Sequence, residues 1–277
     1  MNDDNSISQS YKRKILAVYK TALREILKNN PDSIKLLNYI KFPKPEQNEV
    51  QVFTMKEQCL IEKAVLGCPD KRTLGIILCF YSGIRLGELC ALKWCDFDFE
   101  NETLFINRTV SRTKNFSDDD NKTLLLIGTP KSRTSSRKIP LPSFLIALFK
   151  EYYQRSGKET CYFMTGSETP IDPRAFQKLY KKILKKAGVP DRKFHAIRHT
   201  FATRALELNV DIKTISDILG HSNVSITMNI YAHSLMEQKK IAIDRFNNMH
   251  LASMETGQYA VINSVNESQL SSKNADF

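Results

Sequence analysis

From Leu74 to Tyr81 the chain reads Leu-Gly-Ile-Ile-Leu-Cys-Phe-Tyr, apolar at almost every position. The spacing predicts a helix over residues 71–81, and a helix without a polar face must be covered on every side. It is therefore expected at the centre of the core, wrapped by other elements. Ser82-Gly83 breaks it, and Arg85-Leu86-Gly87-Glu88-Leu89-Cys90-Ala91-Leu92 starts the next helix. Arg85 thus falls at a helix start directly after a turn, with Glu88 one turn on along the same face. Upstream, Thr54 reads as an N-cap with Glu57 at the capping-box position, opening a helix that runs to about Val65.

The period then changes. Residues 103–106, 123–127 and 137–141 read as strands, a small three-stranded antiparallel sheet in an otherwise helical chain. Residues 111–122 form a polar loop containing Asp118-Asp119-Asp120; adjacent aspartates point in different directions, so a solvated hairpin tip fits better than a metal site. Pro130-Lys131-Ser132-Arg133-Thr134-Ser135-Ser136 is a basic, hydroxyl-rich turn, and with Arg137 it is suited to touching phosphates. Helices return over residues 142–155 and 173–187, where Gly188 ends the pattern. A further helix is built around Val210, Ile212, Ile215, Ile218 and Leu219, with Asp211 as N-cap and Gly220 just past its end. Residues 235–246 are amphipathic again. The fold class is α+β, mostly helical.

At the N-terminus, residues 11–28 make an amphipathic basic helix that includes Lys12, Arg13 and Lys20, followed by a short helix near residues 31–39. Lys41-Phe42-Pro43-Lys44-Pro45 then opens a linker. Some forty residues are too few for an ordinary independent core. The expected division is residues 1–42 as a small helical segment, 43–50 as linker, 51–252 as the main domain, and 253–277 as a flexible tail rich in Ser and Asn. A net charge of +11 points to a polyanionic partner. With no long apolar run and a polar start, neither signal peptide nor membrane span is expected, and the protein should be soluble and intracellular. Six cysteines without a C-x-x-C spacing read as reduced thiols.

The residues able to do chemistry gather late in the chain. His195 and Arg198 share a helical face and can converge on one anion. His195 and His199 have the spacing of a zinc-binding helix, but Ala196 stands where the H-E-x-x-H pattern needs its glutamate. His221 can cap a helix end or donate to a ligand, and Tyr231 can be a core aromatic or a nucleophile. Arg85 with Glu88 can be a surface ion pair, and Lys131 an ordinary surface lysine. Taken singly, each has a dull explanation.

Their order does not. Ser82-Gly83-Ile84-Arg85-Leu86-Gly87-Glu88-Leu89, Lys131 ahead of a strand ending Ile139-Pro140-Leu141, His195-x-x-Arg198, Leu219-Gly220-His221 and Tyr231 closely resemble the tyrosine recombinases, the phage-integrase family, over roughly residues 54–248. The match is nearest to integrases of phages and conjugative transposons. The resemblance implies that Tyr231 attacks a DNA phosphodiester, giving a 3′-phosphotyrosyl link. A hydroxyl with an ordinary pKa near 10 needs a base, and His195 is the implied proton acceptor. Lys131 would protonate the departing 5′-oxygen, Arg85 and Arg198 would stabilise charge on the non-bridging oxygens, His221 would add a hydrogen bond, and Glu88 would hold the basic groups.

No metal or cofactor is implied. The implied partners are double-stranded DNA carrying a core site, a homotetramer on two duplexes, and a directionality factor; the implied location is the bacterial cytoplasm, at the nucleoid. Lys12, Arg13, Lys20, Ser132, Arg133 and Arg137 are the expected further DNA contacts. The helix after Tyr231 either packs in cis or is donated to a neighbour. Ser10 to Leu27 resembles only the last part of the family's helical core-binding domain, so residues 1–42 are expected to be a remnant of it. A second reading is therefore a DNA-binding accessory or regulatory protein that keeps the fold without productive recombination.

Overall fold

The computed structural model describes residues 7–44, 50–115, 122–128, 136–156, 158–221, 223, 224, 228 and 243–252. Two compact units divide the chain, Met1–Glu49 and Val50–Phe277. The first contains α1 (Gln9–Ile26), capped by the Ser8 side chain, and the short α2 (Pro31–Leu36). Two cations lie over the Phe42 ring: the Arg13 guanidinium 5.7 Å and the Lys20 ammonium 5.8 Å from its centre. Arg13 also donates to the Pro43 carbonyl. Lys12, expected at DNA, is the one buried residue of α1, only 7% exposed.

The second unit begins with α3 (Met55–Leu66). Its Thr54–Glu57 capping box forms as its residue types require, the Thr54 hydroxyl accepting from the Glu57 N–H while the Glu57 carboxylate accepts from the Thr54 N–H. Then come α4 (Leu74–Ser82), α5 (Leu86–Ala91), β1 (Phe97–Asp98), β2 (Thr103–Ile106), β3 (Thr109–Lys114), β4 (Thr123–Gly128), β5 (Arg137–Pro140), α6 (Ser143–Ser156), α7 (Pro173–Ala187), α8 (His195–Glu207) and α9 (Ile212–Leu219). Among the described residues no helix is long and apolar enough to cross a membrane.

The apolar helix is where its composition requires it. Leu74 and residues 76–80 of α4 are all buried, and Ile76 and Leu78 are fully so. Truncating either to Ala is worth about 2–5 kcal/mol of stability. α4 packs on α3 and α8, while α3 also meets α7. Gly83 ends α4 at φ +63°, and a Cβ there would stand 2.6 Å from the Phe201 ring and 2.7 Å from Leu219 Cδ2. That closeness joins the end of α4 to α8 and α9. On the far side, Trp94 sits among Phe97, Tyr152, Tyr153 and Phe163 with ring centres 5.0 to 5.5 Å away, fixing the start of the sheet region against α6. All six cysteines are free, and burial pushes the Cys79 and Cys90 thiols well up.

The sheet differs from the expected one in its membership. β2 is central in a three-stranded antiparallel sheet of order β1-β2-β5, with Phe97 and Ile139 both opposite Leu104. The expected strand at residues 123–127 forms instead as β4 in a separate two-stranded ribbon with β3. β3, Thr-Val-Ser-Arg-Thr-Lys, buries only Val110, so its single apolar residue leaves no alternation to read as a strand. It is an edge strand made by cross-strand pairing rather than by a hydrophobic face.

Candidate active site

Three helix ends meet where the late motifs fall. α4 stops at Gly83, α5 starts after Arg85, and α9 stops at Gly220, whose φ is +64°. The last carbonyls of an α-helix have no partner within the helix and carry the negative end of its dipole. Here they are taken by guanidiniums from three different elements. The Ile218 carbonyl accepts from Arg137 Nε, the Leu219 carbonyl from Arg198 Nη2 at 2.8 Å, and the Gly220 carbonyl from Arg85 Nη2 at 2.9 Å. Arg198 also donates to the Gly83 carbonyl at 2.8 Å, tying α8 to the end of α4. It is 4% exposed.

Glu88 is the carboxylate counterweight. It is buried, accepts the Arg85 backbone N–H at 2.9 Å and Arg85 Nη1 at 2.8 Å, and is met from the other side by Arg137 Nη2 at 3.0 Å and Nη1 at 3.2 Å. Burial alone would raise its pKa, but the Arg137 hydrogen bonds and charge, with those of Arg85, outweigh this and hold it below the usual range. Arg85 remains 38% exposed at its side chain, which leaves it accessible to an anion.

The histidines stand in this positive field. His195, in the first turn of α8, keeps an exposed edge; partial desolvation first, then the charges of Arg198 and Arg85, lower its pKa. His221 is drawn down to about 4 by burial and by Arg198, Arg85, His195 and Arg137. His199 is also held near 4 by burial, His195 and Arg198, and its ring meets that of His195 edge-to-face at 4.6 Å. At neutral pH all three imidazoles are uncharged, so His195 is able to accept a proton and His221 to donate an N–H. Beside them lies a cleft of about 500 Å³, with His195, Arg198, Lys181 and Lys193 on its walls and Ile84, Leu86 and Phe194 among its apolar lining.

Of the expected site residues, Arg85, Glu88, His195, Arg198 and His221 come together as one cluster. Lys131, Ser132, Arg133 and Tyr231 lie outside the described residues. Arg137 is a correction: expected at a phosphate, its side chain is 7% exposed and engaged with Glu88 and α9. Its register explains this. Residues two apart in a strand share a face, and Arg137 shares one with the buried Ile139. Two further sets were not singled out from the sequence. Lys181 and Lys193 line the cleft, and Arg174, Lys178, Lys182 and Lys185 form an exposed row along α7 at helical spacing. That row is legible in the sequence as a basic helix face.

Residues 54–238 match the family described as the phage integrase family. The chain belongs to that family. Among similar proteins, the tyrosine recombinase XerC-like protein of Caldanaerobacter subterraneus subsp. tengcongensis is 38% identical over 220 residues, 74% of this chain and 56% of that protein. The transposase from transposon Tn916 of Enterococcus faecalis is 24% identical over 257 residues, 86% of this chain and 61% of that protein. This integrase-family chain thus spans little more than half the length of the relatives it matches. In three dimensions it is similar to the Tn1549 transposon integrase, solved in complex with a circular intermediate DNA. The TM-score is 0.61 at 20% identity, over 88% of this chain and 86% of that one. That likeness establishes the fold: mostly helical, with small antiparallel sheets.

Proposed function

We propose that this chain is a site-specific DNA recombinase that breaks and rejoins DNA through a 3′-phosphotyrosyl intermediate, serving integration or excision of a mobile element. The observation that carries the reading is the convergence of Arg85, Arg198, His195 and His221 on the end of α9, a fixed cationic cradle beside an open cleft. Two planar, permanently charged forks suit the non-bridging oxygens of a phosphodiester better than ammonium groups would. On this reading the Tyr231 hydroxyl attacks phosphorus while His195, neutral at working pH, takes its proton. The bond to the 5′-oxygen breaks, and Lys131 gives that oxygen a proton. Arg85, Arg198 and His221 hold the charge that develops between these events. The phosphotyrosine keeps the bond energy, so a second 5′-hydroxyl can reverse the step without ATP.

On the same reading the chain acts on a core site in double-stranded DNA, as four protomers on two duplexes, with a directionality factor, at the nucleoid in the cytoplasm. Residues 1–42 would be part of a DNA clamp with Arg13 and Lys20 on the DNA side, and Ser132 and Arg133 would touch the backbone near the cleavage point. Support for a polyanion comes from the net charge of +11 and the basic row on α7. A nicked suicide substrate carrying the cognate core site is the test. Wild-type protein is expected to form a covalent DNA adduct that Tyr231→Phe does not. Binding without any adduct would instead support an accessory DNA-binding protein.

A further inference from the structure

We infer that Arg137 is a positioning residue of the strand-transfer site, holding Arg85 and the His221 segment in register without touching DNA itself. The inference rests on the function proposed above. Arg137 begins β5, and its one guanidinium reaches both Glu88 and the end of α9, the two parts of the site that Arg85 also joins. Nη1 and Nη2 meet Glu88, which on its other side fixes both the backbone N–H and the Nη1 of Arg85. Nε donates to the Ile218 carbonyl, two residues before Gly220 and three before His221.

The fit is close: an added Cβ at Gly220 would stand 2.8 Å from Arg137 Nη1 and 3.0 Å from its Cζ, so the absence of a side chain at Gly220 is what admits the guanidinium. Arg85, more than a third exposed, is oriented by Glu88 and by the Gly220 carbonyl, and Arg137 packs on both. Glu88 in turn is charged in a buried place because Arg137 backs it. Lysine cannot replace this arrangement, since a point charge that reaches Glu88 does not also supply a planar fork to a helix carbonyl.

Arg137→Lys and Arg137→Gln, with unfolding curves and DNA affinity recorded for each, test this on the nicked substrate. The single-turnover cleavage constant at saturating DNA is expected to fall on the order of 10- to 100-fold, the size of a misplaced catalytic group, while DNA affinity stays near wild type. A second substrate carries an uncharged methylphosphonate at the scissile position, where the charge that Arg85 neutralises is gone. If Arg137 acts by aiming Arg85, the gap between variant and wild type closes towards parity there. Gly220→Ala, which crowds the Arg137 guanidinium and keeps its charge, is expected to give the same signature if the Gln variant does not fold. An equal loss on both substrates, a loss confined to DNA affinity, or no loss overturns the inference. A wild-type protein that forms no adduct overturns the proposed recombinase function instead.

Discussion

The protein carries its positive charge in two contrasting ways. At the end of α9, Arg85, Arg137 and Arg198 are held by main-chain carbonyls and by Glu88, with Arg137 and Arg198 almost wholly out of water. Along α7, Arg174, Lys178, Lys182 and Lys185 stand exposed at helical spacing. Charge of the first kind is costly to assemble, because like charges repel and each loses hydration; the helix dipole and one carboxylate offset that cost. Once assembled, it needs no reorganisation when a transition state develops charge beside it. Charge of the second kind is cheap, mobile and screened by salt. The difference separates chemistry from attraction: fixed arginines are suited to rate, and a loose basic row to affinity.

The sharpest way to break that separation is at Glu88. Glu88→Gln removes the carboxylate charge that the buried Arg137 and Arg85 share and is expected to cost about 3–5 kcal/mol, read as a lower midpoint in denaturant. Next, Arg85→Ala or Arg198→Ala is expected to slow adduct formation by about 10²- to 10³-fold, with DNA affinity little changed. A large loss of affinity with an intact cleavage constant would place these arginines in the second class.

The histidines give a pH test of the same contrast. His199 and His221 lie near 4 in the folded chain against an ordinary 6.5, so between those values the unfolded chain takes up protons that the folded one refuses. Stability is therefore expected to fall as pH drops through that window, seen in denaturation midpoints between neutral and acid pH. His195 is lowered too, so the acid limb of kcat/KM, which reports the free enzyme, is expected below the ordinary histidine range. The smallest effect belongs to α7. Each of Lys178→Gln, Lys182→Gln and Lys185→Gln is expected to reduce the slope of log affinity against log salt by about 1, with cleavage at saturating DNA unchanged.

Much of the fold was legible because its signals are local. The capping box at Thr54 and Glu57, the Asp211 cap and the glycine stops at Gly83 and Gly220 all formed as their residue types and offsets require. The apolar run of α4 could only be buried. β3 was missed because its stability comes from pairing with β4, which no window of its own sequence contains. Arg85, Glu88, His195, Arg198 and His221 were legible as a set because they recur in a fixed order. Arg137 was misjudged because a basic residue beside a basic turn reads as surface, while its partner Glu88 lies 49 residues upstream. The alternation with Ile139 was the one signal that could have turned it inward.

The three arginines at the end of α9 also bear on how this chain can change in length. Each residue added to or removed from a helix turns the downstream chain by roughly 100° and shifts it by roughly 1.5 Å along the axis. One such change within Ile212–Leu219 would offer the wrong carbonyls to all three guanidiniums at once, whereas the exposed turn around Gly166 meets no such constraint. α9 is in effect a gauge block, an element whose function is to be one length. Insertions and deletions should spread freely through the surface turns of this chain and stop at its two ends.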